Sequence, residues 1–141
     1  MNNKIKEFAM AKRIVIAIML VSLFGLSACN KPDPGEAARN NFLPPQGFQG
    51  DAAKGENLYV QACSSCHGPG AHGSDNGPPL VHKIYESSHH SDISFFHAAK
   101  NGVAAHHWQF GNMPPVPGVT PKDVAHIVAY VRREQRAVGI R

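Results

Sequence analysis

The chain has 141 residues, 43% of them hydrophobic, with a formal net charge of +4 and a pI near 9.1. Residues 1–13 hold Lys4, Lys6, Lys12 and Arg13; without residues 1–28 the basic residues fall from 14 to 10, the acidic from 10 to 9, and +4 becomes +1. The nearly neutral remainder lacks the basic surface that nucleic-acid binding requires, so that class is excluded.

The charged start is followed by Ile14 to Leu26, a short, almost wholly apolar run, and then by the small residues Ser27-Ala28 before Cys29. That order predicts a secretory signal over residues 1–28. A membrane-spanning helix needs about 20 apolar residues, and this run is shorter. Leu26-Ser27-Ala28-Cys29 resembles the lipobox of bacterial lipoproteins. The resemblance implies a chain cut before Cys29, lipid on that thiol and an acylated new N-terminus. Several acyl chains would hold the protein to a membrane firmly, since each buried CH₂ contributes ~0.8 kcal/mol. Asn30 after the cysteine leaves open whether that membrane is inner or outer.

The remaining 113 residues suit one domain and a tail. All 11 prolines and most of the 13 glycines lie there, so much of the backbone is irregular and the apolar core is small. Small domains of this kind often depend on a metal, a cofactor or covalent staples. Residues 29–50 read as a tether rich in proline and glycine, with Phe42, Leu43 and Phe48 apolar enough for part of it to lie against the domain. A flexible stretch of that length reaches roughly 25 Å.

From residue 51 to residue 141 the pattern is helical. Asp51 can cap a first helix running to about Cys63, with Leu58, Tyr59 and Ala62 on its apolar face. Gly68-Pro69-Gly70, Gly73 and Gly77-Pro78-Pro79 then impose a loop. A second helix is predicted from Asp92 to about Asn101, stopped by Gly102. The last has Thr120 at N-cap, Pro121 at N1 and Asp123 at N3. Val124, Ile127, Val128 and Val131 give it an apolar stripe, Arg132, Arg133 and Arg136 suit the C-terminal dipole, and Gly139 is a possible stop. No segment alternates convincingly as a strand, so the fold class is all-α.

The chemistry centres on Cys63-Ser64-Ser65-Cys66-His67, the C-x-x-C-H attachment signal of c-type haem. Two thiols three residues apart on one helical turn can each add to a vinyl group on the same porphyrin edge, and the adjacent imidazole reaches the iron. With lipid on Cys29, none of the three cysteines is left free. Two other uses of the motif compete. A dithiol redox pair would want a βαβ surround, and none is visible. A zinc half-site with His67 and His72 is less expected in an exported chain.

Met113 is the only methionine outside the leader, in Gly111-Asn112-Met113-Pro114-Pro115. A lone methionine is ordinarily core filler. This one stands in a proline-stiffened loop, off any apolar face, which suits a sixth iron ligand. A thioether opposite an imidazole raises the reduction potential relative to two imidazoles.

Together, Asp51 to Arg136 resembles the small monohaem class I cytochromes c of bacteria. Cys63, Cys66 and His67 match the haem motif, Met113 the Met-Pro-Pro distal ligand, and Gly77-Pro78-Pro79-Leu80 the Gly-Pro-x-Leu loop. The resemblance implies a cytochrome c-like fold of about three to five helices around one covalent haem c. It implies that the Pro78 carbonyl accepts the His67 Nδ1–H and that Leu80 of the same loop is among the cofactor-binding residues. It also implies that Gly55 and Tyr59 cross Ile127 and Tyr130, and that Trp108 donates its indole N–H to a haem propionate.

The departure from that family is histidine. All nine lie outside the leader, and beyond His67 they include the adjacent pairs His89-His90 and His106-His107. The plain reading is a solvated surface. The sharper readings are a second metal site, of copper or zinc, a proton-linked shift of potential, or replacement of Met113 on the iron by His106 or His107.

These features predict a carrier rather than an enzyme: a lipid-anchored protein on the periplasmic side of a bacterial membrane, passing single electrons between redox proteins such as membrane respiratory or dehydrogenase complexes. Two alternatives are a haem-based enzyme or sensor of gas or peroxide with a labile sixth ligand, and a histidine-rich copper- or zinc-handling lipoprotein.

Overall fold

The computed structural model describes residues 42–141. The predicted signal at 1–28, the predicted lipidation at Cys29 and residues 30–41 of the predicted tether lie outside the described residues. Phe42, Leu43 and Phe48 pack on the helices: the first two join Phe96, Val124 and Val128 in one apolar cluster, and the Phe48 ring meets His126 edge-on at 5.3 Å.

Helix α1 spans Ala52–Ala62. Asp51 caps it, its carboxylate accepting from the Ala53 and Lys54 amides at 2.8 and 3.1 Å. The Asp51 amide donates to His126 Nδ1 at 2.8 Å, tying the start of α1 to the last helix. The predicted run to Cys63 breaks at that residue, whose φ of −127° is not helical, and a short helix α2 resumes over Ser64–His67. A 3₁₀ turn, Pro69–Ala71, follows, and a second lies at Lys83–Tyr85. Helix α3 spans Asp92–Asn101 and ends at Gly102, as predicted.

Helix α4, Pro121–Ala137, has both halves of the capping box. The Asp123 amide donates to Thr120 Oγ1 at 3.2 Å, and the Thr120 amide donates to the Asp123 carboxylate at 2.9 Å. At its far end, the Ile140 amide bonds the Gln135 carbonyl and the Gly139 amide bonds that of Arg136. With Gly139 at φ +85° this is a Schellman stop. Among the described residues there are isolated β-bridges but no strand, so the all-α expectation holds.

The main packing is between α1 and α4. A Cβ built on Gly55 would lie 1.9 Å from the His126 carbonyl oxygen, so only glycine lets the two backbones touch. Around that contact Tyr59, Ile127, Tyr130 and Val131 are buried, with the two tyrosine rings 5.1 Å apart. The crossing of Gly55 and Tyr59 with Ile127 and Tyr130 is thus present.

One expectation is extended. Arg132, expected to suit the C-terminal helix dipole, has a further role: it is only 9% exposed. Its guanidinium donates to Asp92 at 2.8 Å, to the Tyr85 and His90 carbonyls at 2.5 Å each, and to Gln135 Oε1 at 2.7 Å. Gln135 in turn donates to the Leu80 carbonyl at 2.8 Å. Two polar side chains of α4 therefore anchor the irregular segment 80–92, satisfying carbonyls that a strand or helix would otherwise have paired.

Candidate haem site

Three pieces of irregular backbone build the site. The first is the turn carrying the cysteines. The Cys66 and His67 amides both bond back to the Cys63 carbonyl, at 3.2 and 2.9 Å, which sets the two thiols one helical turn apart with His67 next in line. The Tyr59 hydroxyl, buried under α4, donates to the Gly68 carbonyl at 2.7 Å and so fixes the end of this turn to the packed core. Both thiols are free of disulfide; burial pushes that of Cys63 up to about 11, so it stays a neutral thiol.

The second piece is the loop from Gly68 to Leu80. It folds over His67: the Gly73 amide donates to the His67 carbonyl at 2.7 Å, and Ser74 Oγ donates to that of Cys66 at 2.5 Å. Its function is visible at Pro78, whose carbonyl accepts His67 Nδ1–H at 2.8 Å. That bond selects the tautomer, leaving Nε2 as the free nitrogen. Burial holds the His67 imidazolium below its ordinary range, with the Pro78 bond opposing, so the ring is neutral and able to ligate.

The third piece carries Met113. Its amide and carbonyl pair with those of Val103, both at 2.9 Å, in an isolated antiparallel bridge. Gly102 makes the approach possible, because a Cβ there would stand 2.4 Å from the Met113 carbonyl oxygen. The glycine expected as a helix stop therefore has a second use. Asn112 steadies the same loop by accepting the Ala105 amide at 2.9 Å.

All seven residues expected at the site, Cys63, Cys66, His67, Pro78, Leu80, Trp108 and Met113, line one cavity of about 840 Å³. Cys29, the eighth, is outside the described residues. The size suits a small cofactor largely enclosed by protein. The walls between the named groups are apolar, among them Phe95, Val103, Val124 and Ile127. Trp108 adds a sharper sign. Its indole Nε1 is buried and has no hydrogen-bond partner among the described residues. The Tyr85 hydroxyl lies close enough to feel that N–H, but not in hydrogen-bonding geometry. A buried donor left without an acceptor is costly, and an acidic group at the cavity edge would satisfy it.

A cavity with apolar walls, two thiols one turn apart, a neutral imidazole with one free nitrogen, a thioether and an unsatisfied donor fits a haem. Residues that sequence reasoning missed lie behind these. Arg132 and Gln135 hold segment 80–92, and Asn112 holds the methionine loop. The available signal was Gln135, a polar residue four positions beyond Val131 on the buried stripe of α4.

No curated protein and no solved structure matches this chain. Residues 50–131 match the family described as cytochrome C oxidase, cbb3-type, subunit III. With more than half its length in that match and the haem motif inside it, the chain belongs to this family and is a monohaem c-type cytochrome with covalently bound haem c and a role in electron transfer.

Proposed function

We propose that the protein is a one-electron carrier tethered to the periplasmic side of a bacterial membrane through acylated Cys29, with His67 and Met113 as the two iron ligands and thioethers at Cys63 and Cys66. The observation that carries this reading is the joint lining of a single apolar cavity by those four side chains. Bound haem supplies a reversible ferric/ferrous couple, and a thioether ligand favours the ferrous state.

The protein's own residues account for the rest. His67 is fixed in tautomer by Pro78. Met113 is held by the Val103 bridge on one side and followed by Pro114 and Pro115, which limits its freedom to leave. With His67 and Met113 both holding the iron, no ligand position would stay open to O₂ or peroxide, which would favour a carrier over a catalyst. His106 and His107 line the same cavity, and the Ala104 carbonyl, which accepts from His106 Nδ1 at 2.8 Å, leaves the Nε2 of His106 free, so these two imidazoles are the rivals of Met113 for the iron.

The partners are a redox donor and acceptor in membrane respiratory or dehydrogenase complexes, and the family name adds a membrane oxidase to that class. Contacts of this kind are small and short-lived.

Carbon monoxide tests the reading. The reduced protein at neutral pH should show no spectral shift, while Met113→Ala should bind the gas readily. The pigment should also stay with the polypeptide in acidified organic solvent. A shift in the unmutated protein would favour the gas or peroxide sensor.

A further inference from the structure

At the wall of the haem cavity, which His90 and His107 also line, the two adjacent histidine pairs meet. His89, His90 and His107 each offer a ring nitrogen, and these atoms lie within 4.8 Å of one another. His89 and His90 end the turn before α3, and His107 belongs to the methionine loop, so the group joins segments that are not neighbours in sequence. We propose that these three imidazoles form a second metal site, taking a transition-metal dication, copper(II) more tightly than zinc(II).

The geometry favours a shared ion over a chance cluster. Two nitrogens on one tetrahedral metal at 2.0–2.1 Å stand about 3.3 Å apart. His89 Nε2 and His107 Nε2 are 3.4 Å apart, long for a hydrogen bond and close to that edge. His90 is oriented from behind: its Nδ1–H donates to the Ile84 carbonyl at 2.7 Å, which leaves Nε2 as its lone-pair nitrogen. A backbone carbonyl on the far ring nitrogen is the usual support of a metal-bound histidine.

The turn is itself held in place. The His89 and His90 amides bond the Glu86 carbonyl, and the His90 carbonyl accepts from Arg132. His106, whose ring centroid is 4.2 Å from that of His107, stays outside the three-nitrogen group.

The donor set names the class of ion. Three neutral imidazoles without carboxylate or thiolate suit copper, zinc and nickel and offer little to magnesium or calcium. His89 and His107 are exposed, leaving the ion an open path and a free coordination position. A bound ion would clip the methionine loop to the turn that Arg132 anchors.

The test uses the full-length haem-loaded protein, given copper(II) or zinc(II) separately and then desalted against glycine as a weak competitor. Metal is counted against haem iron. One equivalent should remain, and the copper form should show nitrogen couplings in its electron paramagnetic resonance spectrum. His89→Ala and His107→Ala should each weaken retention by about 30-fold or more, since even supporting residues change metal affinity 10–100-fold. The exposed His72→Ala should retain metal as the parent does. An unchanged melting temperature in each variant certifies the fold, since His72, His89 and His107 are all exposed, although His107 also lines the haem cavity. No retained equivalent of either metal, or equal retention after His89→Ala and His107→Ala, overturns the site. His107 is shared with the rival reading of the iron's sixth ligand, and the haem spectrum separates the two: loss of copper with an unchanged spectrum in His107→Ala supports the second site, whereas a changed spectrum places His107 on the iron and overturns it.

Discussion

The α1–α4 crossing and the wall of the haem cavity are held together by different physics. At the crossing, backbones touch at Gly55 and the buried aromatic pair Tyr59 and Tyr130 fills the space beside them. Around the cavity, segments 68–91 and 102–119 contain only 3₁₀ turns and isolated bridges outside the short stretches named above. Their order comes from a few long-range anchors, Tyr59 to Gly68, Gln135 to Leu80, Arg132 to Tyr85 and His90, and a haem in the cavity would add packing for their apolar side chains. One half is stabilised by protein on protein. The other is completed by what it binds.

Removing the cofactor should break that comparison most severely. In a Cys63→Ser/Cys66→Ser double variant the cavity walls lose their packing partner, and a domain this small has little core to spare. We expect loss of the cooperative thermal transition, with fast amide exchange across 68–91 and 102–119 and slower exchange persisting in α1 and α4. Uniform exchange in both halves would erase the distinction.

Gly55→Ala attacks the other half. The added methyl meets the His126 backbone rather than a movable side chain, so we expect about 3 kcal/mol or more of destabilisation in guanidinium titration. Arg132→Met tests the link between the halves. It leaves the His90 carbonyl without its side-chain donor and the Tyr85 carbonyl with Gln135 alone, and should cost about 2 kcal/mol, with amide exchange quickening in 80–92 before α1 is affected.

The smallest effect sharpens the picture at the start of α4. Thr120→Ala should cost about 1 kcal/mol at neutral pH. The Thr120 hydroxyl, then its amide, lowers the Asp123 carboxyl below its ordinary value. A depressed folded value means that the contribution is present above the unfolded carboxyl range and is lost as pH falls. The gap between variant and parent should therefore narrow below about pH 4, as measured by denaturation across pH.

The two halves also differed in how far they were legible in sequence. The ends of α1, α3 and α4 could be read because Asp51, Gly102 and the Thr120-Pro121-Asp123 start act on neighbouring amides. C-x-x-C-H was legible because its chemistry is fixed by spacing alone. The break at Cys63 was not, since it depends on the turn folding under Tyr59. Arg132 and Gln135 escaped for a similar reason: their partners are carbonyls 42 to 55 residues distant, and no local pattern announces them. The histidine pairs were conspicuous as pairs. Their convergence was not, because it follows from the path of two loops without periodicity.

The central claim is that His67 and Met113 hold the iron from its two sides. The ferric protein at neutral pH should show the weak far-red charge-transfer band of sulfur-to-iron ligation, and Met113→Ala should abolish it while leaving the haem attached. Absence of the band from the unmutated ferric protein, or its survival in Met113→Ala, would contradict the assignment.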